Sequence, residues 1–313
     1  MDKHLAGATP ACDSPAVAVR MSGTIVITYL RATRIYSYGE NMIPTHRMAL
    51  ISAAVVVASA AACPSFADDD AFLEVDPATV MTENDMTLQQ WLAWSAGHTG
   101  QRFTGFQSVT EFDYGLTSRL QLALNLEYDW QRTRDPLRLA CIENLPAISA
   151  EAIYAVIPAE AGHFGLSLAF DPAVGRNDRG FAFRVLMQRN LAGFESALDI
   201  GFQDVWTRDA SRWTEGSAIS VNYGIAFPLT SHWTVSFEAN NERGFDGLFP
   251  SRSVRQSFDT YFAGPTLQYD CEFVVVTLGV QAQLPWATGD TADGGYTPDA
   301  ERFRTVLRFA KTI

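Results

Sequence analysis

The sequence is poor in cysteine, lysine and long apolar runs, and each shortage excludes something. Four cysteines in 313 residues are too few for a disulfide scaffold and are not spaced like zinc ligands. Basic side chains number 23 against 35 acidic, a net charge of −12, so there is no basic stripe for a nucleic acid. Only one apolar run, 48–64, approaches membrane-spanning length, and it lies near the N-terminus; a polytopic helical membrane protein is excluded. No phosphate loop, dinucleotide glycine motif or His-Glu-x-x-His occurs, and neither Asp68-Asp69-Asp70 nor 290–294 has EF-hand spacing. No cofactor and no metal are therefore expected. The 47% hydrophobic and 12% aromatic content is too high for a disordered chain. A β-barrel membrane protein survives these exclusions, because its apolar residues alternate with polar ones.

The apolar run reads as a secretory signal. His46 and Arg47 form a positive n-region, residues 48–62 an apolar h-region, and Ser65-Phe66-Ala67 the small residues of a cleavage site after Ala67. A membrane anchor is the alternative, although the run falls short of the ~20 residues a helix needs. A lipoprotein anchor would use Cys63, but the usual large aliphatic residue three before it is missing. A signal begins a chain, so residues 1–41 read as a non-native or disordered extension, with the start at Met42 or Met48. The expected organisation is an extension (1–41), a signal peptide (42–67), an acidic periplasmic segment (68–86) and a barrel (87–313). Residues 68–313 carry 18 basic and 32 acidic side chains, a net −14, with Lys311 the one lysine.

What the sequence does have is period two. In Leu120-Gln-Leu-Ala-Leu-Asn-Leu-Glu-Tyr-Asp-Trp130 the large apolar residues occupy one face and Gln121, Ala123, Asn125, Glu127 and Asp129 the other. That run exceeds the usual ~5–6 residues of a soluble strand and matches the ~9–11 residues of a tilted membrane strand. Similar faces occur at 194–206, 219–227, 233–240, 274–286 and 303–309. Weaker strands are expected at 87–97, 102–114, 148–157, 164–171, 180–189 and 257–269, the last interrupted by Gly264-Pro265. The total is twelve, an even number as bacterial outer-membrane barrels require. The fold class is thus all-β, a transmembrane antiparallel up-and-down barrel. A soluble periplasmic β-sandwich is the alternative.

Connections and aromatic placement support the barrel. Short periplasmic turns are expected at 115–119, 158–163, 190–193, 229–232 and 269–272, alternating with longer outer connections at 131–147, 172–179, 207–212, 241–256 and 285–300; only 97–101 is a short outer one. Trp130, Trp206, Trp213 and Trp286 then fall at the outer membrane interface, with Tyr114, Phe164, Phe194, Phe227 and Trp233 at the inner one.

Residues 108–124, Ser-Val-Thr-Glu-Phe-Asp-Tyr-Gly-Leu-Thr-Ser-Arg-Leu-Gln-Leu-Ala-Leu, together with Gln90-Trp91, resemble a hairpin of a family of uncharacterised proteobacterial outer-membrane β-barrels. The stretch is also distantly similar to MetA-type transporters or porins of phenol-degradation pathways. The resemblance covers residues 90–124 and implies a barrel in the bacterial outer membrane, inserted by the barrel assembly machinery among outer-membrane lipid and lipopolysaccharide. It transfers no catalytic or ligand-binding residues. Such barrels end on an aromatic residue, whereas here Phe309 is followed by four more residues.

Within the motif, Glu111 and Asp113 share one face, Gly115 offers a positive φ, Thr117-Ser118 can bond turn amides, and Arg119 follows beside the acidic face; the expected role is a turn and register device. Lumen-facing charges are expected at Glu111, Asp113, Glu127, Asp129, Glu151, Glu195, Asp199 and Glu238, with Arg184, Arg304 and Arg308 among them. Such charges either pair across a narrow lumen or line a water-filled one. The first case gives a non-conducting structural or surface-interaction barrel, the second a channel for a small solute with a bias toward cations. An enzyme is not expected, since His98, His163 and His232 fall in or beside connections and none forms a His-x-Ser pair. Cys141 is expected in an outer loop and Cys271 in a periplasmic turn, too far apart to bridge.

Overall fold

A computed structural model describes residues 71–98, 101–135, 138–143, 147–159, 163–175, 177–191, 193–209, 212–247, 256–271, 273–286 and 301–313. The extension 1–41, the signal 42–67 with its cleavage at Ala67, residues 68–70 and the acidic stretch 290–294 lie outside them, as does the side chain of Cys141.

The strands are β1 (Met86–His98), β2 (Gln101–Thr117), β3 (Leu120–Asp135), β4 (Arg138–Glu143), β5 (Ala147–Ile157), β6 (Phe164–Val174), β7 (Asp178–Leu191), β8 (Phe194–Asp209), β9 (Arg212–Pro228), β10 (Trp233–Phe245), β11 (Gln256–Cys271), β12 (Val274–Gln283) and β13 (Phe303–Thr312). Apart from β4, each strand pairs antiparallel with the next along the chain, β3 with β5, and β1 pairs with β13 from Thr87↔Thr312 to Ala96↔Phe303. Twelve strands thus close a barrel. The thirteenth, β4, is an outer flap: it pairs with the upper part of β3 through Trp130↔Glu143 to Asp135↔Arg138, while β5 pairs with the lower part from Leu120↔Tyr154 to Glu127↔Ala147. The expected outer loop 131–147 is therefore largely a hairpin.

Alternation determines the two faces. On β3, Leu122, Leu124 and Leu126 are exposed outward, and Gln121, Ala123 and Asn125 are buried inward. This is the reverse of a soluble protein, and it is what a sheet needs when its solvent is hydrocarbon. Trp130, Trp206, Trp213 and Trp286 stand on the outward face toward one end, and Tyr114, Phe227 and Trp233 toward the other. Several stack with neighbours: Tyr261–Trp286 at 6.0 Å, Phe194–Phe227 at 5.9 Å and Trp233–Tyr269 at 4.6 Å between ring centroids.

Three expectations need correction. The expected alternation of long outer and short inner connections does not hold: besides β1–β2, which was expected to be short, β6–β7 and β8–β9 join at the outer end by three and two residues. Their strands run past the apolar band, where charged and polar residues replace the pattern that marks a strand. Gly115 does not have a positive φ; among the described glycines that belongs to Gly97, Gly193 and Gly247. Gly115 is needed for close approach, since a Cβ there would lie 2.0 Å from the Thr82 carbonyl oxygen. Arg119 is exposed in its turn, where its N–H bonds Thr117 Oγ1 at 3.2 Å, and the partners of the acidic face are instead Gln89 and Gln121.

Gly264-Pro265 opens the ladder on one side only. The β10 pairing continues through Glu238↔Gly264 and Phe237↔Pro265, whereas the β12 pairing skips from Ala263↔Ala282 to Thr266↔Gly279 without a change of register. Proline lacks the N–H, so the lost bridge is a local gap and not a bulge.

Candidate functional site

The barrel interior is not empty. Residues 71–81 fold up inside it, so much of the segment expected in the periplasm is a lumen filling. Phe72, Leu73, Glu74, Val75 and Ala78 are buried, and their partners come from strands on all sides of the wall. The Leu73 and Glu74 amides donate to the Glu238 carboxylate of β10 at 3.0 and 2.6 Å, and Thr266 of β11 donates to the same carboxylate at 2.7 Å. Ser236 Oγ donates to the Ala71 carbonyl at 2.8 Å, and Ser167 Oγ of β6 to that of Ala78 at 2.6 Å. The Met81 amide donates to Gln121 Oε1 of β3 at 2.9 Å. At the foot, Asn84 N–H and Gly115 N–H bond the Gly115 and Asp85 carbonyls.

Small lumen residues make room for this segment. A Cβ on Gly224 would come within 2.6 Å of the Phe72 ring, and one on Gly279 within 2.5 Å of Leu73 Cδ1. Leu73 packs with Trp91, Ala93, Val109 and Val306, and Phe72 and Val75 with Ala197 and Ala226.

Two arginines organise the polar interior. Arg184 of β7 bonds Asp76 of the inner segment and Glu151 at 2.8 Å, and lies 3.3 Å from Asp199 and 3.8 Å from Asp171. Arg304 of β13 pairs with Glu74 at 3.0 Å and Glu301 at 2.9 Å. The structure thus joins Arg184, Glu151 and Asp199 in one network. Glu111 and Asp113 lie beside each other, both accepting from Gln89 of β1, at 3.5 and 2.9 Å. Glu127 and Glu195 are half-buried, accepting from Gln107 at 2.7 Å and Gln188 at 2.8 Å. Asp129, also half-buried, lies on the inward register of β3. Arg308 stacks over Trp91 at 5.0 Å and reaches Thr277 Oγ1 at 3.3 Å.

Sequence reasoning missed Glu74, Asp76, Asp171 and Glu301. Asp171 shares the inward register of Ser167 and Ala169 and could have been found by extending that alternation. The other three precede strands and carry no period. The Gln90–Trp91 pair also acquires a reason. Trp91 faces inward to Leu73, whereas Gln90 Nε2 donates to Ser108 Oγ at 3.0 Å and the Val109 carbonyl at 2.9 Å, and Thr110 donates back to it at 2.9 Å. The motif residues 108–110 and Gln90 therefore lock β1 to β2. His163 and His232 sit in exposed turns and His98 ends β1. Cys271 is a free thiol at the β11–β12 turn, bonded to the Val274 carbonyl at 3.0 Å.

No protein-family model matches the chain, and no curated protein sequence matches it. Among solved structures it is similar to an outer-membrane channel from Pseudomonas putida F1, at 12% identity and a TM-score of 0.55, covering 77% of this chain and 100% of that one. The NanC porin matches at 8% identity and 0.44, covering 72% and 97%, and the KdgM porin at 7% and 0.42, covering 72% and 99%. What the first of these likenesses establishes is the fold: a closed, twelve-stranded antiparallel barrel of the outer-membrane type.

Proposed function

We propose that this protein is a non-enzymatic outer-membrane channel for a small solute, exported by its N-terminal signal and carrying its own removable obstruction in residues 71–81. The observation that supports it is the way that segment is held. Its backbone groups bond wall side chains, and its charges meet Arg184 and Arg304. With it displaced, Glu111, Asp113, Glu151, Asp171, Asp199 and Glu238 outnumber the inward arginines, a lining that favours cations.

Planar-bilayer recordings test this on the refolded protein beginning at Asp68 and on a form lacking 68–81. The shortened form should give larger, cation-selective steps. The density of interior bonds also suits a non-conducting structural barrel, and silence from both forms would establish that second reading instead.

A further inference from the structure

Two uncommitted arginines stand on the outward face at the extracellular end. Arg179 of β7 is opposite Trp206 of β8, and the Arg208 amide donates to the Asn177 carbonyl at 2.7 Å. The two arginines are therefore diagonal neighbours across one strand pair, on the order of 7–8 Å apart. Arg208 is in turn opposite Trp213 of β9, and the Arg179 guanidinium lies 4.6 Å from the Trp213 ring centroid. Both arginines are exposed, and among the described residues neither has a carboxylate within ion-pair distance. Elsewhere on the outer wall an exposed arginine is neutralised, as Arg243 is by Asp259 at 3.4 Å. The described carboxylates on the Arg179 face, Asp204 and Glu215, lie nearer the membrane centre than Arg208, by four and two residues along the strands.

Below the arginines the outward face carries an aromatic cluster, with Asp204 opposite Phe181 and Glu215 opposite Trp206 beside it. Phe181 stacks with Trp206 at 6.0 Å, Phe202 at 6.3 Å and Phe170 at 6.2 Å. Exposed cations at the upper edge of an aromatic cluster match a ligand with a phosphate above and acyl chains below. Inorganic phosphate would use only the upper half. The acidic balance of the chain, with 35 acidic against 23 basic residues, makes this local reversal of sign the more selective for an anion.

We propose that Arg179, Arg208 and Trp213 form a binding site for a phosphorylated glycolipid of the outer leaflet, its phosphate between the two guanidiniums and its acyl chains on the Phe170–Phe181–Phe202 wall. Guanidinium is suited to the first contact because its fork bonds phosphate oxygens in pairs. The inference rests on the outer-membrane placement of the barrel and not on whether it conducts.

The test uses the refolded full barrel in detergent, titrated with lipid A, with the same glycolipid stripped of its phosphates, and with inorganic phosphate. Lipid A should bind, and the other two should bind much more weakly. R179Q/R208Q should weaken lipid A binding by roughly fivefold per arginine, the effect of removing one charge from an anionic lipid surface. W213F should retain most of the affinity and W213A should lose part of it, because the ring positions Arg179. Heat-modifiable gel mobility verifies that each variant is folded. Equal affinity for the stripped glycolipid, or lipid A binding unchanged in folded R179Q/R208Q, overturns the proposal. A variant that fails to fold is replaced by the single R208Q, read in the same way. Loss of conductance without loss of lipid binding would count against the channel reading alone.

Discussion

The two faces of the same strands are built on opposite rules. On β3, outward Leu122, Leu124 and Leu126 touch nothing the protein must specify; any apolar side chain of adequate size would serve against lipid. Inward Gln121, one residue away, donates to Asp113 at 3.3 Å and accepts from the Met81 amide at 2.9 Å. The outer face is specified by solvent and the inner face by partners. A substitution outside should therefore be judged by transfer from water to hydrocarbon, and one inside by what it leaves unbonded.

That contrast can be broken by measurement, beginning where the effect is largest. Arg184→Leu leaves Asp76, Glu151, Asp171 and Asp199 around a neutral side chain. Breaking such a buried set should destabilise by about 3–5 kcal/mol, read as a shift in urea unfolding of the refolded barrel. Leu124→Arg places a charge on the lipid face and should cost about 2–4 kcal/mol near the midplane. Its signature is that conductance stays as it was, because nothing in the lumen has moved. The smallest change is Ser236→Ala, which removes one donor to the Ala71 carbonyl and should cost about 0.5–1.5 kcal/mol. This loss should disappear in the form lacking 68–81. If Ser236→Ala costs the same in both forms, the inner face is not specified by the segment it touches.

Much of the barrel was legible because alternation is a local property. Each of the twelve strands expected from period two corresponds to a strand of the closed sheet, and the inward register of Glu111, Glu151, Arg184, Asp199, Glu238 and Arg304 follows from it. The strand ends were not legible. Beyond the apolar band the hydrophobic alternation ends, and the sequence Thr207-Arg208-Asp209 no longer announces a side. Residues 71–81 were hidden for a different reason. Ala-Phe-Leu-Glu-Val-Asp-Pro alternates over only four residues, too short a run to mark an element, and its partners are spread over β10, β7 and β13 rather than set on one neighbouring strand. The available clue was indirect: Gly224 and Gly279 sit on inward faces where a barrel with nothing inside it has no need of glycine.

The foot of the inner segment has a mechanical consequence. Asn84, at φ 70°, and Asp85 are fixed to Gly115 by main-chain bonds, whereas the bonds described above, from Ala71 to Met81, end on side chains of the wall. The ring of strand pairings, from β1 round to β13 and back, closes without drawing on the segment. Displacing residues 71–81 about Asn84 would therefore unfasten no rung of the cylinder. The wall and what it encloses can be rearranged separately, although one unbroken chain makes both.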